Sequence, residues 1–327
     1  MFSSITKYIR TIRYGLGLEM GMYANREKGD LILMYHNIFP HSLPGLNVRN
    51  IGQREFSEEL TYLSKRFRIV SLAEMMETPA DGRRLAMTFD DGLANNMKYA
   101  QRILEQHRVP ATFFVCTAYL RGRSILWPDH LAMTGFHTGQ PIEWKGVTYR
   151  RRKANRYISD EGKRLTHVLM KEPWSELQRF MDSSEEQTGY KPSDDTRHEY
   201  RWRVMRAEEV RIMAESPFVE IGSHGITHAN FSMLTHEEAR TELAESKSYL
   251  ESASGTQIHS FAWPFGIYTS HAVQLARECG YTRQLAVALR EQDAETHSLL
   301  HPRTGLFNDR SWIERMHLVN KTFANLS

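Results

Sequence analysis

The stretch that decides the fold reads LAMTFDDG at residues 85–92, where a short apolar run ends abruptly in two carboxylates and a glycine. Such a run predicts a buried β-strand, and the glycine predicts a turn directly after it. Similar short apolar runs recur on both sides of this stretch. They predict further strands at 31–35, 68–70, 111–115, 219–222, 258–262, 283–287 and 303–307.

Helices are predicted between these strands from their apolar spacing and their end signals. The clearest start is Thr235, because Glu238 follows three residues later as in a capping box, and Gly280 is a clear stop. About eight strands that alternate with helices favour a parallel α/β barrel. The predicted helices span 57–65, 95–107, 207–216, 235–252 and 270–279.

Composition excludes several classes of protein. The chain has 327 residues, of which 41% are hydrophobic and 25% charged, so it is long enough for a large core and is not a disordered chain. Its 42 basic and 39 acidic residues give a net charge of +3, which is too small to indicate a nucleic-acid partner. Two cysteines, Cys116 and Cys279, cannot form a disulfide framework. The sequence gives no indication of the oligomeric state.

The N-terminal segment 1–29 is expected to contain a basic amphipathic helix. Over residues 1–18 the apolar residues recur at helical spacing, and the segment has basic but no acidic residues. Two interpretations remain open, because this helix either packs on the domain or makes peripheral contact with an anionic membrane. No secretory signal and no window of 18 apolar residues is evident, so the chain is expected in the cytoplasm.

Residues 119–204 break the alternation of strands and helices. They predict a cap-like insertion between two strands of a barrel that spans 30–327. Because active sites of such barrels lie at the C-terminal strand ends, an insertion after the strand at 111–115 is in a position to cover the substrate. A decoration that only packs on the scaffold is the alternative. The basic run at 150–153 is interpreted as a solvated face.

Two clusters of polar residues follow predicted strands. Asp90 and Asp91 leave the strand at 85–89, where one carboxylate can bind a cation while the other accepts a proton. His224 and His228 follow another strand, and imidazoles four residues apart converge on one cation when their loop turns like a helix. Strand ends of a barrel share one rim. A metal site of two histidines and one aspartate is therefore predicted, and with it metal-assisted hydrolysis.

Three motifs in this order carry a resemblance to a known family: TFDDG at 88–92, HGITH at 224–228 and PFG at 264–266. Together they resemble the polysaccharide deacetylases, carbohydrate esterase family four. The resemblance covers about residues 30–118 and 205–307, and it implies a distorted (β/α) barrel of seven or eight strands.

Two longer segments narrow this resemblance. LMYHNI at 33–38 and FAWPFG at 261–266 resemble the branch that contains bacterial exopolysaccharide and poly-N-acetylglucosamine deacetylases. The resemblance therefore implies a carbohydrate substrate for this chain.

The resemblance also implies roles for individual residues. Asp91, His224 and His228 would hold a divalent cation, most often zinc, and Asp90 would be the general base that deprotonates the attacking water. The backbone N–H of Phe265 would stabilise the oxyanion that forms from an N-acetyl carbonyl. Acetate and a free amine are the expected products.

The sequence departs from the family pattern at two places. Gly225 stands where serine or threonine usually follows the first histidine. No arginine precedes the Pro-aromatic-Gly turn, so Arg303 is the predicted substitute that orients the base. His301, in a loose match to the last motif, is the predicted acid for the leaving amine. The remaining candidates are expected to line the substrate site: His36, Trp263, Pro264 and Trp127.

The sequence therefore predicts a metal-dependent hydrolase that removes N-acetyl groups from a polysaccharide, an oligosaccharide or a lipid-linked precursor. A deformylase or another amidase with the same metal site is one alternative. A barrel that binds a glycan or a protein partner without turnover is the other.

Overall fold

The computed structural model describes residues 26–289, 295–296 and 298–326, and nine parallel strands form its centre. Two short strands pair separately, and three more form an antiparallel sheet. In chain order the strands are β1 (Gly29–Tyr35), β2 (Asn37–Phe39), β3 (Asn50–Gly52), β4 (Arg68–Ile69), β5 (Arg83–Phe89), β6 (Ala111–Val115), β7 (Ile142–Trp144), β8 (Val147–Arg152), β9 (Arg156–Ser159), β10 (Val219–Ser223), β11 (Ser260–Ala262), β12 (Arg283–Ala286), β13 (Leu300–Pro302) and β14 (Thr304–Gly305).

Helices follow most of the central strands. Those predicted from the sequence are present with ends shifted by a few residues, and helices at 72–77, 312–324 and within the insertion are additional. In chain order they are α1 (Gln53–Ser64), α2 (Leu72–Glu77), α3 (Arg102–His107), α4 (Trp127–His137), α5 (Leu165–Leu169), α6 (Trp174–Thr188), α7 (Ala207–Ala214), α8 (His236–Ser254), α9 (Ser270–Glu278) and α10 (Trp312–Ala324).

The central strands form a nearly closed barrel, which confirms the predicted fold class. Their order is β13-β12-β11-β10-β6-β5-β1-β14, and β4 pairs with β5 outside this path. The strands at the two ends of the path are neighbours in the chain, since only Arg303 separates Pro302 of β13 from Thr304 of β14. The segment 300–305 thus joins both ends of the sheet, and Arg303 lies at the point of closure.

The register of the sheet brings strand ends to the same level. Tyr35, the last residue of β1, lies opposite Phe89, the last residue of β5. The amide of Asp90 then donates to the Tyr35 carbonyl oxygen at 3.0 Å. The residues that follow these strands, His36 and Asp90, therefore leave the barrel side by side at its C-terminal rim.

One predicted helix has a different start. The segment 95–107 begins as a π-helix over Asn96–Gln101 and becomes α3 only at Arg102. The side chain of Asn96 donates to the His36 carbonyl oxygen at 2.7 Å, and the side chain of Asn95 accepts from the Ile38 amide at 3.0 Å. These asparagines tie the start of the helix to the barrel rim, where side-chain bonds compete with regular helical ones.

The C-terminal helix α10 closes one side of the barrel. Ser311 begins it with a capping box, and Phe323 is completely buried against Phe67. Arg315 lies in the interface with α1, where its guanidinium bonds the carboxylates of Glu55 and Glu59. The helix is thus part of the barrel core.

The segment predicted as an insertion has its own hydrophobic core, built around helices α4 and α6 and the antiparallel sheet β7-β8-β9. His130 of α4 is buried there, and its Nε2 lies 2.8 Å from Oγ of Ser184. Burial lowers the pKa of His130 to about 3, so this imidazole is neutral in the folded protein. The basic residues 150–153 are exposed, as expected for a solvated face.

The predicted amphipathic helix at residues 1–18 lies outside the described residues, so its contact with the domain or with a membrane stays a prediction. Among the helices that the structure describes, no helix has both the length and the apolar character needed to cross a bilayer.

Candidate metal centre and active site

Sharp turns after three strands present the candidate site residues. Asp91, His228 and Phe265 have positive φ angles of 73°, 57° and 58°. Such angles are rare outside glycine and often mark functional sites. Gly92 has a φ angle of 69°, and a Cβ atom there would lie 2.7 Å from the Cα atom of Val115. The turn after β5 therefore requires glycine.

The turns after β5 and β10 bring Asp91, His224 and His228 together. Their ligand atoms lie within 4.8 Å of one another, and all three residues are buried. Oδ1 of Asp91 lies 3.3 Å from Nε2 of His228 and 3.7 Å from Nε2 of His224. This oxygen is buried without a hydrogen-bond partner among the described residues. An orphaned buried carboxylate oxygen between two imidazoles is what a cation site requires.

His224 has the protonation state that a metal ligand needs. Its Nδ1 lies 2.7 Å from the Ala262 carbonyl oxygen, which can only accept, so Nδ1 carries the proton and Nε2 keeps its lone pair. Burial lowers the pKa of His224 to about 4, which keeps the ring neutral. One carboxylate oxygen and two imidazole nitrogens form a donor set that fits zinc or a similar divalent cation.

A buried carboxylate of α8 holds the histidine loop in shape. Glu242 accepts from the amides of Ile226 and Thr227 at 2.6 and 3.1 Å, and from Oγ1 of Thr227 at 2.6 Å. A Cβ atom at Gly225, where φ is 78°, would lie 2.9 Å from Oε2 of Glu242. Glycine at this position therefore makes room for the carboxylate, which braces the loop in place of a hydroxyl.

Asp90 forms a buried ion pair with Arg303, as the sequence analysis expects for an arginine that orients this carboxylate. Nη1 of Arg303 lies 2.6 Å from Oδ1, and Nη2 lies 2.8 Å from Oδ2. A further bond at 3.1 Å runs from Nη1 to Oγ1 of Thr88. Burial alone would raise the pKa of Asp90, but the charge and hydrogen bonds of Arg303, together with His224 and His36, hold this pKa below its ordinary value. The carboxylate is thus ionised and fixed in orientation.

His36 lies beside the two aspartates. With Asp90, His224 and His228 it lines a cleft of about 490 Å³, a volume typical of ligand sites. Its Nδ1 is buried without a hydrogen-bond partner among the described residues. Burial lowers the pKa of His36, while both aspartates act in the opposite direction.

His301, the predicted acid, does not line this cleft. It lies in β13, two residues before Arg303 and therefore about 6–7 Å farther from the rim. The structure thus places His36, not His301, beside the candidate base. The sequence analysis gave His36 only a place in the cleft wall.

Trp263 does not offer a free ring face to a sugar. It is completely buried, with ring centroids 5.0 Å from Phe231 and 4.8 Å from Phe261. It contributes to the floor of the cleft. Trp263 thus supports the site from beneath, and its predicted contact with substrate stays a prediction.

Phe265, in contrast, reaches the centre of the site. Its ring stands edge-to-face against His228, with centroids 4.3 Å apart. The next two amides, of Gly266 and Ile267, bond to carbonyl oxygens within the turn. Pro264 is buried in that turn and does not line the cleft. Trp127 packs in the core of the insertion, with its ring centroid 5.8 Å from that of Phe265, and it also lines a second cleft beside His228. The substrate contacts predicted for Pro264 and Trp127 stay predictions.

The sequence analysis missed a second arginine at the site. Arg49, from the loop before β3, lies 2.5 Å from Oδ2 of Asp91 and 2.5 Å from Oδ1 of Asp129 in the insertion. Burial alone would lower the pKa of Arg49, but the charges of Asp129 and Asp91 raise this pKa above its ordinary value. Arg49, with His228 and His36, also holds the pKa of Asp91 well below its ordinary value against the effect of burial. Burial raises the pKa of Asp129 to about 6.

Structural comparisons agree on the fold. IcaB from Ammonifex degensii shares 19% identity and a TM-score of 0.52, over 91% of this chain and 98% of that one. The deacetylase PplD from Streptococcus pyogenes, solved in complex with acetate, shares 16% identity and a TM-score of 0.51, over 90% and 97% of the two chains. A polysaccharide deacetylase from Bacillus cereus shares 16% identity and a TM-score of 0.55, over 90% of this chain and 69% of that one.

Sequence comparison identifies the family. No curated protein matches the chain by sequence. The family model described as polysaccharide deacetylase matches residues 77–284, which is more than half of the chain and includes both aspartates and both histidines of the site. The chain belongs to the polysaccharide deacetylase family.

Proposed function

We propose that this protein is a metal-dependent N-deacetylase that hydrolyses the N-acetyl groups of a carbohydrate, with zinc as its cation. The observation that supports this most strongly is the orphaned Oδ1 of Asp91, which is buried between the Nε2 atoms of His224 and His228. Beside it, an ionised Asp90 is fixed by Arg303. A polar cluster of this kind is costly to bury unless a cation completes it.

A divalent cation held by Asp91, His224 and His228 supplies a Lewis acid that acidifies water and polarises the amide carbonyl. Asp90 accepts the proton of the attacking water, because Arg303 fixes both of its oxygens and keeps it ionised. The Phe265 amide, in the turn beside His228, donates to the developing oxyanion. Asp90 thus acts as the base.

The leaving nitrogen needs a proton before acetate departs. His36 is the histidine that lies in the cleft beside both aspartates, and its buried Nδ1 has no competing partner in the part of the chain described. We assign it the role of general acid in place of His301. Burial keeps the imidazole neutral at rest, so the proton that it gives to the nitrogen is the one that Asp90 takes from the attacking water. The products are acetate and a free amino sugar. PplD, which shares this fold, was solved with acetate.

The cleft volume of about 490 Å³ is suited to one or two sugar residues, and its open mouth leaves room for a longer chain. A polysaccharide or an oligosaccharide is therefore the proposed substrate. A lipid-linked precursor presents the same N-acetyl group and is the other form of substrate to test.

The test compares wild-type protein with Asp90→Asn and His36→Gln on N-acetylglucosamine oligomers and on matched N-formyl oligomers. The proposal predicts acetate release by the wild type, and losses of at least 100-fold in kcat for both variants with metal content unchanged. Faster release of formate than of acetate would make the protein a deformylase. Metal binding without release of either acid would support a binding protein and contradict the proposal.

A further inference from the structure

A bridge of three side chains connects the insertion to the metal centre. The Arg49 guanidinium bonds Oδ2 of Asp91 through Nη1 and Oδ1 of Asp129 through Nη2, both at 2.5 Å. Asp91 and Asp129 are almost completely buried, and the Arg49 side chain is 17% exposed. Asp129 is near the start of α4 in the insertion, whereas Asp91 follows a barrel strand.

The two oxygens of Asp91 have different environments. Oδ1 faces both histidines and has no hydrogen-bond partner in the described ranges, whereas Oδ2 accepts from Arg49. A carboxylate held through one oxygen cannot rotate freely about its last torsion. Arg49 therefore fixes which oxygen points toward the imidazoles, as outer-shell partners do for metal ligands.

A guanidinium in this position also carries an electrostatic cost. Its positive charge lies next to a ligand of a divalent cation, and repulsion between like charges is strong in a buried site. Asp129 offsets that charge through its direct bond to Arg49. With Asp129, the site has three carboxylates and two guanidiniums, so it has one more negative than positive charge to receive the cation. Without Asp129, the two remaining carboxylates only balance the two guanidiniums, and this excess of negative charge is lost.

We propose that Arg49 and Asp129 form a buried positioning pair for the metal centre, in which Arg49 orients Asp91 and Asp129 of the insertion cancels the charge of Arg49. Neither residue belongs to the group of ligand atoms at the site. The inference rests on the proposed function in so far as the cation is bound by Asp91, His224 and His228. Through Asp129, the insertion would therefore contribute to metal binding.

The test measures metal affinity without catalysis. The dissociation constant for Zn²⁺ is determined by competition with a chromogenic chelator, and the visible spectrum of the Co²⁺-loaded protein reports on ligand geometry. The variants are Asp129→Asn, which removes only the charge, and the neutral double variant Arg49→Gln/Asp129→Asn. The control is Asp182→Asn, an exposed carboxylate of the same insertion that pairs with Arg123.

The proposal predicts that Asp129→Asn weakens Zn²⁺ binding by about 10- to 100-fold, while the control binds like the wild type. The double variant recovers part of this loss, since the positive charge of Arg49 no longer opposes the cation, and it shows an altered Co²⁺ spectrum because Asp91 is no longer held. Wild-type affinity in Asp129→Asn would overturn the charge role. A wild-type spectrum and affinity in the double variant would overturn the orienting role.

Two outcomes keep this inference distinct from the proposed function. If wild-type protein binds no metal at all, the proposed function fails before the variants are compared. If Asp129→Asn does not fold, the double variant decides, because it removes the Arg49 charge that Asp129 compensates: Zn²⁺ affinity and a Co²⁺ spectrum like those of the wild type would refute the pair, and weaker binding would support it.

Discussion

Replacing Arg303 by methionine should damage both stability and turnover, because its guanidinium is the main partner of a buried carboxylate. Arg303 and Asp90 are 4% and 3% exposed and share two bonds of 2.6 and 2.8 Å. Removing one partner of a buried ion pair leaves the other charge uncompensated, at a cost of about 3–5 kcal/mol. The free energy of unfolding of Arg303→Met should fall by that amount.

A double-mutant cycle separates this effect from simple loss of packing. Urea unfolding is measured for Arg303→Met, Asp90→Asn and the double variant, with acetate release measured on each. The double variant has no unpaired charge, so its loss of stability should be about 1–3 kcal/mol smaller than the sum of the single losses. Turnover should be lost in all three, because each lacks an oriented, ionised base.

A matched control uses another buried arginine. Arg203→Met removes ion pairs to Glu199 and Glu209, whereas the bonds of its guanidinium reach neither Asp90 nor the predicted metal ligands. It should lower the unfolding free energy by about 1–3 kcal/mol, less than Arg303→Met because both of its partners are partly exposed, and leave kcat of the folded fraction near the wild-type value. Additive losses in the cycle, or normal turnover by Arg303→Met, would refute the reasoning.

Three further predictions concern the surroundings of the site. Gly92→Ala should lose about 2–4 kcal/mol of stability in thermal denaturation because its Cβ meets Val115, whereas Gly146→Ala, which has a positive φ but open space, should lose only about 1–2 kcal/mol. Glu242→Ala should weaken Zn²⁺ binding about tenfold in chelator competition, since the histidine loop loses its brace; unchanged affinity would contradict this. His130 is neutral when folded, so its contribution to stability is complete above its ordinary pKa of 6.5 and is lost as pH falls toward 3. Between pH 6.5 and 5 this amounts to about 2 kcal/mol of unfolding free energy, and His130→Gln should show a correspondingly flatter pH dependence.

The sequence predicted the parts of the site that are local in the chain. Asp90 and Asp91 follow a strand directly, and the spacing of His224 and His228 is set within one loop. Such residues can be predicted because a short apolar run indicates a buried strand, and the polar residues that follow it directly indicate where that strand ends. The barrel itself followed from the repetition of this pattern.

The contacts that the sequence analysis did not predict join segments that are far apart in sequence. Arg49 and Asp129 are 80 residues apart, and neither lies at a strand end that marks it as part of the site. Their pairing depends on how the insertion packs on the rim, which no local pattern encodes. His301 was chosen over His36 as the acid because a motif can be matched without knowing the depth of a residue along its strand.

Residue type did not show how deeply the aromatic candidates are buried. Trp263 and Trp127 were expected to line the substrate site, and both rings also fill cores, one beneath the site and one in the insertion. Large aromatic side chains contribute so much to core packing that residue type alone does not reveal a free face.

The central claim is that Asp91, His224 and His228 hold a cation required for deacetylation. The most direct measurement is the metal content of wild-type protein and of His224→Ala/His228→Ala, together with acetate release from N-acetylglucosamine oligomers by the same samples. The account predicts about one divalent ion per wild-type chain, and loss of both the ion and acetate release in the variant. Acetate release that persists in the metal-free variant would contradict it.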